Sequence, residues 1–323
     1  MKLPRRKFMY LAAGIAALTT GSRTAKTGGY PTRPVRLLVG FTPGGGNDIT
    51  ARLVGQWLSE HLGQPFIIEN RPGASTNIAT EAAVNAAPDG YTLLFVAATA
   101  AINATLYENL NFNFIRDVAP IAGIMRIPNV MVVNPSLPVQ TVPQFIAYAK
   151  ANPGKVNMAS PGVGTSVHLS GELFKMMTGV DLVHVPYRGG YVPDLLGGQT
   201  QVVFGAIASS IQLIGAGKLR ALAVTTAARW PALPDVPAMG EYVPGYNASQ
   251  WYGLGVPKNT PAEIVSKLNS AINAGLADPT MEARFANFGY TAFASSPAGF
   301  GKFIAEDIEK WAKVVKFAGI KPE

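Results

Sequence analysis

Apolar residues along most of this chain come in short runs. Each run ends in polar or glycine-rich punctuation, and apolar positions at helical spacing follow. Residues 35–41 form the first run; it ends in Thr42-Pro43-Gly44-Gly45-Gly46, and Ile49, Leu53, Val54, Trp57, Leu58 and Leu62 then recur three to five apart. That order predicts strand, tight turn and helix. A second strand is expected over residues 66–69, a helix carrying Ile78, Ala82 and Ala83 after it, and a third strand over residues 91–97 beyond Pro88-Asp89-Gly90. The apolar stretch 93–106, interrupted by Thr99, Asn103 and Thr105, reads as that buried strand followed by a turn. Alternating strands and helices imply a parallel, doubly wound sheet.

The pattern then repeats. A strand is expected over 130–133, and Thr141-Val142-Pro143-Gln144 has capping-box spacing for a helix reaching Lys150. A strand over 156–159 leads into Ser160-Pro161-Gly162-Val163-Gly164-Thr165-Ser166, with Leu169, Leu173, Met176 and Met177 on the helical face beyond it. Further strands are expected over 182–186, 202–204 and 219–225. After a strand over 251–256, Thr260-Pro261-Ala262-Glu263 has the residues of a capped helix start. Ile264, Leu268, Ile272 and Leu276 form one apolar stripe there; Phe300, Phe303, Ile304, Ile308, Trp311 and Val315 form another. Helices that arrive without new strands pack onto an existing sheet. Residues 30–127 and 251–323 are therefore expected to form one lobe and 128–250 the other, with crossings near 128 and 250.

Charge changes the picture only at the N-terminus. The 323 residues carry a formal net charge of +8, but six of the 27 basic residues lie in the first 29 positions, which hold no acid. The remainder, 21 basic against 19 acidic residues, lacks the basic excess of a nucleic-acid-binding body. Arg5-Arg6-Lys7, the apolar stretch 9–18 and the small residues after it describe an export signal in 1–29, too short to span a bilayer. The paired arginines point to the twin-arginine route and to the bacterial periplasm, with an ordinary secretion signal as the other possibility. The absence of cysteine excludes disulfides, thiolate metal sites and cysteine nucleophiles.

The chemistry lies in the two glycine-rich turns, residues 42–48 and 160–166. A turn that opens a helix points free backbone N–H groups, at the positive end of the helix dipole, towards one place, where an anion can be held without a basic side chain. If the two lobes face each other, a carboxylate gripped by both turns would link them. Neither turn has the Gly-Lys-Ser/Thr of a phosphate loop, and both lack the last glycine of a dinucleotide fingerprint, although Glu69 stands where the ribose-binding acid would. No nucleophile elbow occurs. His61, His168 and His184 show no metal-ligand spacing, and Ser166 and His168, two apart at a helix start, do not face each other.

Several short motifs occur in order along the mature chain: Asn70-Arg71-Pro72-Gly73-Ala74, Ala87-Pro88-Asp89-Gly90-Tyr91, Val185-Pro186-Tyr187-Arg188-Gly189, Gly197-Gly198-Gln199, Gly217-Lys218-Leu219-Arg220-Ala221 and Pro234-Asp235-Val236-Pro237. Together with the two turns they resemble the substrate-binding proteins of tripartite tricarboxylate transporters, the Bug family, over nearly the whole mature chain. The resemblance implies an α/β, two-lobed periplasmic binding protein of the type II Venus-flytrap kind, each lobe a doubly wound, mostly parallel sheet flanked by helices. It implies no enzymatic activity and no cofactor. The partners it implies are a small organic carboxylate and a membrane permease of one large and one small subunit; a ligand sensor that presents its closed form to a membrane kinase is a third reading, which has the same cleft. Carried over by position, Phe41, Gly44, Gly45 and Asp48 would line one wall of the cleft, and Ser160, Thr165, Ser166 and His168 the other. Thr99 and Tyr187 would contribute from the side. Amino-acid-binding relatives often carry an acid where Gly205-Ala206 stands here, which favours a plain mono- or dicarboxylate, aliphatic or aromatic. The competing reading is an exported enzyme with a bound cofactor.

Overall fold

The computed structural model describes residues 29–107, 109–187 and 190–321; the export signal expected in 1–29 lies almost wholly outside them. Strand β1 (Val35–Val39) runs between β2 (Phe66–Asn70) and β3 (Thr92–Ala97) and is parallel to both. Helices α1 (Gly46–Leu62) and α2 (Asn77–Val84) make the crossovers. This half follows the alternation read from the sequence. All six residues of β3 are buried, as a strand covered on both faces requires.

The next strand departs from expectation. Instead of four residues, β4 (Val118–Val133) has 16. From Val118 to Pro128 it lies antiparallel to β9 (Ser249–Pro257), which itself lies antiparallel to β3. From Asn129 to Val133 it belongs to a second sheet, antiparallel to β7 (Val202–Ala206) and β8 (Arg220–Val224). In that sheet β5 (Val156–Ser160) runs between β6 (Leu182–Pro186) and β7, parallel to both, and feeds α6 (Ser166–Thr178). Each sheet therefore has a parallel group of three strands around a central strand, β1 or β5, that ends in a glycine-rich turn. Among the described strands every antiparallel pair includes β4 or β9, and the two-residue β10 (Thr291–Ala292) also pairs with β4.

Three local readings need correction. The turn expected after β3 is a helix, α3 (Ala98–Leu106): Ala98, Ala101, Ile102 and Leu106 are buried, and Asn103, one of the polar residues that interrupt the run, donates to the Ser75 carbonyl instead of breaking the helix. Thr260 does not cap α9 (Ala262–Leu276); Pro261 stands at the cap with an extended ψ of 132°, and the Thr260 hydroxyl donates to the Pro257 carbonyl. The capping box of α5 (Val142–Ala151) is half formed. Thr141 accepts from the Gln144 N–H, but the Gln144 side chain takes the N–H of Gln140 instead of that of Thr141.

The C-terminal stripes are core. Ile264, Leu268, Ile272 and Leu276 of α9 are buried, as are Phe300, Ile304, Trp311 and Val315 of α11 (Pro297–Ala318); α10 (Pro279–Asn287) separates the two helices. The buried Asp307 carboxylate accepts the indole N–H of both Trp251 and Trp311, pinning α11 to β9. Along its length α11 also packs against α3 and α6, so it touches elements of both sheets. Among the described residues no helix is long and apolar enough to cross a membrane.

Candidate functional site

The first turn leaves the carboxyl end of β1. Gly44 sits at φ +85°, a conformation that costs an ordinary L-residue but not glycine. Its N–H donates to Asp48 at 2.9 Å, and Arg52 and Asn70 donate to the same carboxylate, each at 2.9 Å. Asp48 is 2% exposed. Burial alone would raise its pKa, but the donors of Arg52, Gly44 and Asn70 outweigh burial and bring it down to about 2. The side chain that the sequence suggested for the wall of a cleft is thus buried and fully engaged in shaping the turn. Gly45, at the helix cap, and Gly46 are exposed. Among the described residues no acceptor meets the N–H of Gly45, Gly46 or Asn47. Phe41 is half-buried, and its carbonyl accepts from Asn70.

Two further segments end beside this turn. Gly73, Ala74, Ser75 and Thr76 all have positive φ, at 129°, 43°, 51° and 81°. For the three non-glycine residues this is a strained arrangement, of a kind that persists only where the surroundings impose it. Asn103 of α3 imposes it here: its side-chain amide donates to the Ser75 carbonyl at 2.6 Å and to Asn77 at 2.9 Å. Gly40 leaves the necessary room, because a Cβ there would stand 2.6 Å from the Cβ of Thr76. Thr99, in the first turn of α3, lies with its hydroxyl 3.4 Å from that of Thr76. The sequence marks Gly73 and Ala74 within Asn70-Arg71-Pro72-Gly73-Ala74 but not Ser75 and Thr76, and Asn103 is one of three polar residues that interrupt the apolar stretch 93–106.

The second turn leaves β5. Thr165 caps α6, accepting the His168 N–H at 3.3 Å and donating to the Gly162 carbonyl at 2.8 Å. Gly164, at φ +73°, donates its N–H to Nδ1 of His168 at 3.1 Å. Among the described residues the N–H groups of Ser166 and Val167 meet no acceptor. Ser160 is fully buried; its hydroxyl lies 2.6 Å from Nε2 of His184 and accepts the Gly162 N–H. His168 is 4% exposed and stacks on His184 with ring centroids 3.7 Å apart. Ser160 and His168, like Asp48, therefore lie behind their turn and hold it, while Thr165 and Ser166 are partly exposed at its surface. Tyr187 is partly exposed beyond β6 and donates its hydroxyl to Asp194 at 2.6 Å.

Contacts join the two sheets around these turns. Leu106, at the end of α3, stands 3.4 Å from where a side chain on Gly164 would begin. Ser166 accepts from Gln250 through its hydroxyl and from Asn129 through its carbonyl. The Trp230 indole donates to the Gly289 carbonyl at 3.1 Å, and the hydroxyl of the next residue, Tyr290, lies against Gly46. Around β7, a side chain on Gly205 would meet the Tyr191 hydroxyl at 2.9 Å, so that position is closed by sterics as well as lacking charge. No metal-binding cluster of His, Cys, Asp or Glu occurs among the described residues.

Two helix N-termini with unbonded donors, each following the central strand of a parallel group of three, are each suited to accept an anion. A family model described as the tripartite tricarboxylate transporter family receptor, TctC, matches residues 50–320. The chain belongs to the TctC family. BugT of Bordetella pertussis is 36% identical over 314 residues, covering 96% of this chain and 94% of BugT. The structure of R. palustris Rpa4515 with adipate has a TM-score of 0.75 and 38% identity over 91% of this chain and all of the other. MatC from Rhodopseudomonas palustris with bound malate has a TM-score of 0.71 and 29% identity over 88% of this chain and all of the other. TctC proteins are solute-binding receptors of the two-lobed type II fold, not enzymes, which removes the exported-enzyme reading.

Proposed function

We propose that this protein is a periplasmic receptor for a small mono- or dicarboxylate and delivers it to a tripartite tricarboxylate-type permease. The observation that carries the proposal is the pair of preset donor arrays: Gly45, Gly46 and Asn47 at the start of α1, and Ser166 and Val167 at the start of α6. In this reading Phe41, Thr99, Thr165 and Tyr187 would add contacts at the edges of these arrays. Asp48, Ser160 and His168 act one step back, by fixing the turns. Donors held rigidly before the ligand arrives lose little entropy on binding it. The adipate and malate held by two TctC structures support the ligand class.

Closure would be a hinge motion where β4 passes from β9 to β7, between Pro128 and Asn129, and where β9 begins at Ser249, so that 128–250 moves as one lobe. The crowded, uncharged position at Gly205 favours a plain carboxylate over an acidic amino acid. Export by the twin-arginine route and delivery to a permease with a large and a small subunit complete the proposal.

A thermal-shift screen of the mature protein against mono-, di- and tricarboxylates, aromatic acids, aspartate and glutamate tests the ligand class. A ligand that binds only the folded state raises the melting temperature by mass action. Stabilisation by one carboxylate class is expected; stabilisation by aspartate or glutamate alone would refute the reading of Gly205, and silence across the panel in ligand-free protein would refute the carboxylate class. Co-purification from membranes with a permease, rather than with a sensor kinase, tests delivery.

A further inference from the structure

His168 lies at the third position of α6 and is 4% exposed, so its ring does not border open solvent at the turn. Its Nδ1 nevertheless accepts the N–H of Gly164, 3.1 Å away, in the middle of that turn. An N–H donor aimed at Nδ1 requires a lone pair there, so the neutral ring carries its proton on Nε2. Nε2 lies 3.6 Å from a carboxylate oxygen of Glu172, which Lys175 also binds at 2.9 Å. Burial raises the Glu172 carboxyl, but His168 and Lys175 beside it outweigh that and hold it below the usual range, so it stays charged. The other histidine serves the other glycine. His184 stacks on His168 and meets the Ser160 hydroxyl, and that hydroxyl holds both the N–H and the carbonyl of Gly162. Burial, with His168 as neighbour, pushes His184 down to about 4, so it remains neutral at ordinary pH.

We infer that His168 is a positioning residue whose neutral form holds the second turn ready for a carboxylate, and whose protonation releases Gly164 and weakens binding. A proton on Nδ1 would set two donors against each other, and Gly164 could then no longer keep its place in the turn. The groups facing the ring are Glu172 and Lys175 on α6 and His184 on β6, and Lys321 of the C-terminal segment borders the same cavity of about 450 Å³. That cavity gives water and protons a way to a ring that the turn covers on its other side. Because the turn needs the lone pair on Nδ1, each step that adds a proton to the ring disfavours binding, by at most about tenfold in affinity per pH unit.

The inference rests on the carboxylate-receptor reading, so one arm of its test needs no ligand. In ¹⁵N-labelled protein titrated from pH 8 to pH 5, the Gly164 amide resonance is expected to move along the curve of the His168 ring nitrogens, with Nε2 bearing the proton at pH 8. His168→Asn puts an amide oxygen near the place of Nδ1 without a titrating group; His168→Gln reaches towards the Nε2 position and leaves Gly164 unpaired. With adipate as probe, His168→Asn should flatten the pH dependence of affinity, and His168→Gln should lower affinity at every pH. A Gly164 amide indifferent to His168 protonation overturns the inference. So does an adipate affinity that is flat with pH in the unmutated protein, or a His168→Gln variant that behaves like His168→Asn. If adipate and malate both fail to bind at pH 8, the receptor reading is what suffers, and the Gly164 titration still decides the role of His168.

Discussion

Replacing Asp48 by Asn tests whether the first turn is built as described. Three donors converge on this carboxylate, and they bring its pKa from 3.8 to about 2 despite burial. A difference of nearly two units between unfolded and folded chain corresponds to about 2 kcal/mol of stability at neutral pH. Counting bonds gives a similar figure. Asn offers one acceptor oxygen where Asp48 offers two, and its NH2 would face donors from Gly44, Arg52 or Asn70. Losing one or two such bonds at about 0.5–1.5 kcal/mol each, more where a charge takes part, removes roughly 1–3 kcal/mol. The folded-state pKa is depressed, so the contribution is complete above about pH 4 and fades as pH falls towards 2, with roughly half gone at pH 3. Urea unfolding of both proteins at pH 7, 4 and 3 measures this directly. Asp48→Asn should be less stable by about 2 kcal/mol at pH 7, and the gap should narrow in acid. Equal stability at pH 7, or a gap that stays constant down to pH 3, would refute the reasoning.

Other substitutions separate binding from folding. Gly45 has an ordinary extended φ of −80° and nothing closer than the Thr42 carbonyl at 3.9 Å from a would-be Cβ, so Gly45→Val should fold normally yet cover the free N–H groups and weaken carboxylate binding in calorimetry. Asn103→Ala removes the clamp on Ser75 and should cost roughly 1–3 kcal/mol in denaturant unfolding, with weaker ligand binding as the segment 73–76 relaxes out of its positive-φ arrangement. Gly205→Asp should fail to create an aspartate or glutamate receptor and should lower the melting temperature, because its side chain would start 2.9 Å from the Tyr191 hydroxyl; a folded variant with new amino-acid affinity would contradict this account.

Local physics made much of this protein legible before its structure. A run of apolar residues, a glycine-rich turn and a helical stripe identify β1–α1 and β5–α6 because each signal acts over a few neighbouring residues. The same holds for the α9 and α11 stripes. The turns stood out as anion sites for the same reason, since their donors belong to consecutive residues. The length of β4 could not be read in this way: its first part is strand because β9 lies beside it, and β9 is more than a hundred residues away in the chain. Nor could α3 be told from a turn until its alanines were seen buried. The division of labour within the turns also waited on tertiary structure. Asp48 and His168 have the chemistry of ligand contacts, but burial turns both towards their own backbone, against Gly44 and Gly164. Sequence determined which groups are present and which short segments bend. Which way those groups face, and that Gln250 reaches Ser166, Asn103 reaches Ser75 and Trp230 reaches Gly289 from distant segments, was decided by packing between residues that share no local pattern.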